Sequence, residues 1–589
     1  MDEILSRYCP RVEFESYEDF YANYRCEAPE NFNFAYDVVD EWARIQPDKL
    51  ALLWTNDQGE KRSYSFADMK RLSNKAANML LAQGIVKGDV VMLILKQRPA
   101  VWIMMTALMK IGAICIPATY QLTPGDLVYR CNAAGVKFLI SIDDKELVDS
   151  IRAAWPDCKT VKKAALAGKG VPAGFIDLLA EIDAAPEAFT RPGGSADTRM
   201  ADPMLVYFSS GTTGMPKMVL HNYSLPLGHI VTAKYWQCVQ DNKVHLTQTD
   251  SGWAKFAWGK IYGQWICGAA IGAYDTEKFS PQGILSALQR LRPASFCAPA
   301  TIFRFLIKED LSGWDFSFIE HASVAGEPLS PEVFYKIKDM TGLEIREGFG
   351  QSETSVMAAV FKWLPVKPGS MGKPSPLFGL NLLDEDGKPC DDGIVGNISI
   401  TAAGLPGAGK SGGLAGEPGV LPSGAGVPET AAETLPGLFR GYWKDDEITR
   451  AVWYNGIYHT GDMAWHDGDG YYWFVGRNDD VIKCSGYRIG PFEVESALME
   501  HPSVLECAVT AVPDPVRGQV VKATIVLARG YQASEELIKE LQNHVKRVTA
   551  PYKYPRIVEF VKELPKTISG KIQRNVIRSK DAETGGKQL

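Results

Sequence analysis

Apolar residues in this chain fall into short continuous runs more often than into strict alternation. Val90–Leu95 is a run of strand length in which every residue is apolar, the pattern of a strand buried on both faces. Pro99 is placed to open a helix, where its missing N–H costs nothing, and Val101 to Lys110 is long enough to form one. Gly112 closes that helix and Ala113–Pro117 supplies the next strand, so the stretch predicts a βαβ unit. The pattern recurs: a helix from Pro124 leads into a strand at Lys137–Ile142, and Met204–Phe208 is a short apolar strand that runs into a Ser/Gly/Thr loop. Alternation of this kind predicts an α/β fold with mainly parallel sheets.

Two later segments break the pattern. Thr401 to Pro436 is almost all Gly, Ala and Pro, with no hydrophobic period; it buries too little to offset its ordering entropy and reads as a mobile surface insertion. The chain from Asp479 to Leu589 forms a separate block. Phe492–Met499 is helical, Val504–Val512 and Val520–Leu527 are strands, Leu537, Ile538, Leu541, Val545 and Val548 mark the apolar face of another helix, and Arg556–Val561 is a final strand. The expected organisation is a large N-terminal region over 1–478 and a small α+β domain over 479–589. A chain of 589 residues exceeds what one core organises.

Composition narrows the class rather than choosing it. The hydrophobic share is 46% and the charged share 23%, as in ordinary soluble globular proteins. A net charge of -7 gives no global field for nucleic acid or an anionic membrane. The eleven Cys are scattered, without a C-x-x-C pair or zinc-ligand spacing, which suggests reduced, buried thiols. The N-terminus MDEILSRYCPRVEFESYEDF is acidic and has neither a signal-peptide core nor the look of a transit peptide. The most apolar stretch, Val101 to Pro117, is interrupted by Lys110 and Gly112 and reads as a buried helix and strand, not a membrane span. The expected location is cytoplasmic.

The chemistry begins at Ser209-Ser210-Gly211-Thr212-Thr213-Gly214-Met215-Pro216-Lys217, directly after a strand. Its glycines let backbone N–H groups turn towards an anion, its hydroxyls can donate to phosphate oxygens, and Lys217 adds a point charge. A second stretch, Gly404 to Ser411 (GLPGAGKS), fits the pattern G-x-x-x-x-G-K-[ST] letter for letter. That loop works only when a helix N-terminus follows its Lys, and GGLAGEPGVLPSGAG cannot be that helix. We therefore assign the phosphate site to the first stretch.

With that loop read, the chain resembles the adenylate-forming superfamily of acyl-CoA synthetases, luciferases and peptide-synthetase adenylation domains. Four further motifs agree in order: Gly326-Glu327-Pro328; Gly348-Phe349-Gly350-Gln351-Ser352-Glu353; Tyr458-His459-Thr460-Gly461-Asp462 with Gly476-Arg477; and Pro565-Lys566-Thr567-Ile568-Ser569-Gly570-Lys571. Within the superfamily, YFSSGTTGMPKMVLH, SGWAKFAWGKIYGQW and APYKYPR are most similar to medium-chain acyl-CoA synthetases. The resemblance implies a ligase of fatty acid metabolism. A carboxylic acid attacks the α-phosphate of ATP, pyrophosphate leaves, and the acyl group passes from acyl-AMP to coenzyme A.

The resemblance also implies roles. Thr212, Thr213 and Lys217 clamp the pyrophosphate part of ATP, with Ser209, Ser210, Gly211 and Gly214 in the same loop. Glu353 holds Mg²⁺, a hard ion suited to carboxylate and phosphate oxygens. Gly326, Glu327 and Pro328 lie by the adenine, with Gly348, Phe349, Gly350, Gln351 and Ser352 on the same nucleotide. Asp462 accepts from the ribose hydroxyls, assisted by Arg477. Lys571 neutralises charge developing as the adenylate forms. The small domain turns about Asp479 between half-reactions. Ser485, Gly486, Tyr487 and Arg488 then line the pantetheine tunnel, and Arg517 contacts the CoA nucleotide.

Trp253, Phe256 and Trp258 correspond to the acyl-pocket wall. Acetate-specific relatives carry Trp at the position of Gly350, so Gly predicts an open end and a longer or bulkier acid. Each buried methylene contributes about 0.8 kcal/mol, and medium-chain, branched and aromatic acids all fit that expectation. One alternative is an enzyme of the same fold that loads a carrier protein; a remote one is a non-catalytic nucleotide-binding protein.

Overall fold

The computed structural model describes residues 3–209, 215–401, 435–484, 487–566 and 572–583. The Val90–Ile94 strand is buried throughout and pairs in parallel with Ile114–Pro117 on one side and Val136–Ile142 on the other. The helix Ala100–Ile111 crosses between the first two, with Pro99 at its N-cap and Gly112 at its C-cap. Gly112 sits at φ +72°, the left-handed conformation in which the helix ends. Every residue of this helix is buried, which is why its sequence shows no polar face.

These strands belong to a seven-stranded sheet in the order Ile176–Asp177, Lys163–Ala167, Val136–Ile142, Val90–Ile94, Ile114–Pro117, Pro203–Ser209 and Lys217–Asn222. All neighbours are parallel except the last two strands, which form an antiparallel hairpin with Ser209 opposite Lys217. The phosphate loop is thus the connection of a hairpin at the edge of the sheet; Ser210 to Gly214 lie outside the described residues.

A second, nine-stranded sheet has a parallel centre: Leu50–Asn56, Ala270–Asp275, Val244–Thr247, Ser295–Ala298, His321–Ala325 and Ile345–Phe349. Antiparallel strands close both edges. A third, antiparallel sheet combines Gly379–Leu383, Gly396–Thr401, Ile457–His466, Trp453–Tyr454 and Tyr472–Arg477. The small domain has its own sheet of Tyr487–Ile489, Ile482–Cys484, Gly518–Leu527 and Val504–Asp514, with Ile557–Val561 parallel to Gly518–Leu527. Its separate core joins Ile482, Val494, Leu498, Val509, Ile525 and Leu541. The fold is therefore α/β, with mainly parallel sheets in a large N-terminal domain and a smaller C-terminal one.

One feature has no counterpart in the sequence reading. Phe14 and Phe20, near the N-terminus, pack against Tyr235 and Trp363 with ring centroids 4.5–6.4 Å apart. The Tyr17 hydroxyl donates to the Pro374 carbonyl at 2.8 Å. The insertion is described only at its ends. The strand before it stops at Thr401, and Leu435 is buried where the chain returns; GLPGAGKS lies outside the described residues. No described helix is long and apolar enough to cross a membrane.

Candidate active site

Adjacent parallel strands end in the loops that carry the expected site residues. The strand His321–Ala325 leads into Gly326-Glu327-Pro328, and Ile345–Phe349 leads into Gly350 to Glu353. Open α/β sheets bind ligands at these carboxyl ends, because the loops there converge while the helices cover the faces.

Glu353 is almost fully buried. The Tyr442 hydroxyl donates to its Oε1 at 2.9 Å, and the Lys217 ammonium lies 4.9 Å above the centre of the Tyr442 ring. Lys217 and Glu353 thus meet around one aromatic side chain. Burial and the neighbouring Glu353 charge both push the Tyr442 phenol well above its ordinary range, so it stays a donor. Among the described residues no group of three or more His, Cys, Asp or Glu could hold a metal. A single buried carboxylate beside a phosphate loop fits an ion that takes its remaining oxygens from nucleotide and water, as Mg²⁺ does.

Gln351 ties this loop to the antiparallel sheet. Its amide donates to Asp462 Oδ2 at 2.6 Å and to the Thr460 carbonyl at 2.9 Å, and it accepts from the Tyr458 hydroxyl at 2.7 Å. Asp462 and Arg477 face each other across paired strands, with Arg477 Nε 3.4 Å from Asp462 Oδ1. Burial alone would lower the guanidinium's pKa; Asp462, Asp479 and Glu353 outweigh it and hold Arg477 charged. The Ser352 carbonyl lies 2.7 Å from Nε2 of His221, a ring that burial keeps neutral by lowering its pKa to about 4.

The Glu327 carboxylate accepts from Thr301 Oγ1 at 2.9 Å and from Arg304 at 2.5 Å. Lys255 donates to the Ala325 carbonyl at 2.8 Å, which ties the Trp253–Gly259 stretch to the same turn. Gly348 has a packing reason to be Gly, since a Cβ there would stand 2.5 Å from the Trp236 indole. Phe349 packs against Phe474 at 6.0 Å.

One acyl-wall expectation needs correction. A Cβ on Gly350 would stand 2.6 Å from Trp258 Cζ2 and 2.8 Å from the Ser355 carbonyl oxygen. The end expected to be open at Gly350 is therefore filled by Trp258, a ring supplied from a different segment. Phe256, in the same short helical stretch, is fully buried and packs on Trp102 at 5.4 Å. Trp253 is only half-buried, at the start of the short helical stretch that carries Trp258.

In the small domain, Cys484 pairs with Tyr487 on one side and with Gly518, next to Arg517, on the other. The Tyr487 ring stacks on Tyr552 at 4.2 Å and both are exposed. Of the expected CoA residues only Tyr487 and Arg517 can be placed, near one another; Ser485, Gly486 and the Arg488 side chain lie outside the described residues, as do Ser210, Gly211, Thr212, Thr213, Gly214 and Lys571. Asp479 sits in the connector after Arg477, and its carbonyl accepts from Arg578 at 2.9 Å.

Sequence reasoning missed Tyr442, Thr301 and Arg304, and carried Tyr458 and His221 only as letters of quoted stretches, without a role. For the two tyrosines a signal existed: a Tyr in an apolar segment such as GLFRGYW buries its ring and must find a partner for its hydroxyl. His221, Thr301 and Arg304 carry no such local sign.

Comparison with known proteins agrees with this geometry. Residues 39–405 match the family model described as AMP-binding enzyme, and residues 493–571 match the AMP-binding enzyme C-terminal domain. The chain is 39% identical over 577 residues to the mitochondrial acyl-coenzyme A synthetase ACSM3 of Mus musculus, covering 96% of this chain and 94% of that one. It is 40% identical over 564 residues to the mitochondrial acyl-coenzyme A synthetase ACSM5 of Homo sapiens, covering 94% and 91%. Among solved structures, the anthranilate CoA ligase AuaEII in complex with anthranoyl-AMP matches with a TM-score of 0.82 at 26% identity, over 95% of this chain and 99% of that one. A benzoate CoA ligase from Burkholderia xenovorans shares the fold with a TM-score of 0.76 at 24% identity, over 93% of this chain and 100% of that one.

Proposed function

Starting from the chain's membership of the AMP-binding enzyme family, as an AMP-forming acyl-CoA synthetase, we propose that its acid carries a hydrophobic medium-chain, branched or aromatic body that ends against Trp258. The observation that carries the reading is the Trp258 ring standing in the space before Gly350. An indole edge at that place gives an apolar, shape-defined limit. It rewards acids that reach it and excludes those that overrun it. The named substrates of the anthranilate and benzoate ligases are consistent with an aromatic body.

The residues around the loops do the rest. Thr212, Thr213 and Lys217 hold the pyrophosphate part of ATP, and Glu353, oriented by Tyr442, is the ligand for magnesium. Magnesium, when bound there, supplies positive charge to the phosphate oxygens. Asp462 and Arg477 orient the ribose, and Gly326 to Pro328 stand by the adenine. Lys571 stabilises the charge that develops as the carboxylate oxygen attacks the α-phosphate and pyrophosphate departs. The thiol of CoA then attacks the acyl carbon and AMP leaves, after the small domain turns at Asp479 and brings Gly486, Tyr487 and Arg517 to the cleft. We place the domain boundary at 478/479 for this reason. The cytoplasm is our proposal for the compartment, supported by eleven cysteines none of which is in a disulfide, as suits reducing conditions.

The test is pyrophosphate release from ATP and magnesium over a panel of carboxylic acids, with and without CoA. The expected result is release that depends on the acid, turns over rapidly only with CoA, and peaks at medium-chain or aromatic acids. A peak at acetate would overturn the substrate class. Release indifferent to CoA would transfer the acceptor role to a carrier protein.

A further inference from the structure

A buried histidine stands beside Trp258 with one ring nitrogen unused. The helix Leu225–Ile230 runs on as a π-helical turn over Val231–Trp236, and His229 lies just before the change. Such wide turns are rare and recur at functional sites. His229 is fully buried. Its ring stacks on Tyr262 at 6.1 Å with the planes 13° apart, and it lies against the Trp258 indole at 6.1 Å. Nδ1 is engaged within its own helix, 3.2 Å from Thr232 Oγ1. Nε2, at the far end of the ring, has no hydrogen-bond partner among the described residues.

Close backbone contacts hold the helix at this place. A Cβ on Gly228 would lie 2.4 Å from the Gly437 Cα, and one on Gly263 would lie 2.1 Å from the His229 carbonyl oxygen. Gly437 in turn abuts Ser355. A Cβ there would come 2.5 Å from Ser355 Oγ, and the Ser355 N–H donates to the Gly437 carbonyl at 2.8 Å. Ser355 is the residue whose carbonyl oxygen closes on Gly350 beside Trp258, and its own Oγ is also buried without a partner among the described residues. Two unused polar atoms, an imidazole nitrogen and a hydroxyl oxygen, therefore flank the apolar limit set by Trp258.

Buried polar groups are nearly always hydrogen-bonded, because one left bare loses its hydration without compensation. Burial lowers the His229 pKa to about 3, with His221 adding to the effect, so the ring is neutral and one of its nitrogens carries the proton. A neutral imidazole near a hydroxyl suits a group that both donates and accepts. A second charged group on the acid would lose its water against these neutral partners.

We propose that His229 Nε2, with Ser355 Oγ, is the specificity determinant for a hydroxyl carried on the acid's body beside Trp258, so that the substrates are hydroxy-substituted carboxylic acids. The inference rests on the reading of Trp258 as the limit of the acyl pocket. A site built to hydrogen-bond a substrate hydroxyl rejects the analogue lacking it far more strongly than an apolar wall rejects an extra methylene, because its own buried groups are then left bare. Trp258 sets how far the body reaches, and His229 sets what it carries.

The test is kcat/KM by pyrophosphate release for acids that differ by one hydroxyl: benzoate against its monohydroxy isomers, and octanoate against hydroxyoctanoates. The wild-type enzyme should prefer one hydroxy acid over its parent by about tenfold or more. His229→Leu should bring that ratio to about one by lowering kcat/KM for the hydroxy acid, while the parent acid stays within about threefold. Ser355→Ala removes a single oxygen; it should lower the same ratio roughly threefold and keeps the test open if the Leu variant fails to fold, which its melting temperature would show. A ratio unmoved in either folded variant would overturn the proposal, as would parent and hydroxy acid falling together. If the parent acids are used and no hydroxy acid is preferred, the role of His229 falls and the Trp258 limit stands. If none of these acids releases pyrophosphate, the acyl class proposed above falls as well.

Discussion

Replacing Trp258 by Ala tests the acyl pocket at the point where structure and sequence reading disagree. Trp258 is buried, stands edge to face on Trp236 at 6.0 Å with the planes at 90°, and fills the space before Gly350. Removing the indole should extend the pocket along the line towards Gly350. Each methylene that enters is favoured by about 0.8 kcal/mol, close to a fourfold factor, so two more carbons should gain roughly fifteenfold in kcat/KM relative to the parent enzyme. The loss of a buried aromatic ring should cost about 3–5 kcal/mol of stability, which denaturant unfolding would register. The assay is kcat/KM by pyrophosphate release over straight-chain acids of increasing length, at a temperature where the variant is folded. Phe14→Leu, changed in the N-terminal aromatic cluster against Tyr235, serves as the control and should leave the profile where it is. A folded Trp258→Ala enzyme with an unmoved optimum would refute the reasoning and put the pocket's end elsewhere.

Other outcomes follow from the same geometry. Tyr442→Phe keeps the ring under Lys217 but removes the hydrogen bond to Glu353; adenylate formation should fall by about tenfold or more with a raised magnesium requirement, and an unchanged magnesium titration would contradict the orienting role. Gly486→Trp should block thioester formation while sparing adenylate formation, and unimpaired thioester synthesis would remove the tunnel assignment. Glu347 is pushed up to about 8 by burial, so its stabilising contribution is complete below about 4.5, the unfolded value, and is lost as pH rises through about 8. Glu347→Gln should therefore flatten the fall in melting temperature between pH 5 and pH 9; parallel profiles for the two proteins would show that the group is not buried neutral.

The parallel strands were legible because burial on both faces writes itself as apolar runs, unbroken in Val90–Ile94 and Ile114–Pro117 and interrupted only by Lys137 and Ser141 in Val136–Ile142. The helix Ala100–Ile111 was legible for a related reason, since Pro99 and Gly112 mark its ends chemically. The site loops were legible only as motifs; nothing in their periodicity says that Gly326 and Gly350 follow nearby strands of one sheet. What escaped is contact decided at long range. Tyr442 lies 89 residues from Glu353, and Trp258 approaches Gly350 from another strand's loop. The Phe14–Phe20 cluster likewise depends on Tyr235 and Trp363, more than two hundred residues away. Local composition could not foretell which partners these rings would meet.

The hairpin that carries the phosphate loop has a consequence for heredity. Its arms are zipped so that Ser209 stands opposite Lys217, and side chains along each arm alternate between the two faces. Removing one codon from either arm would turn every residue beyond the lesion to the opposite face and carry Lys217 away from Tyr442. Substitutions between the arms leave that register intact. Lineages of this gene are therefore expected to keep the length of both arms even where the letters of the arms change.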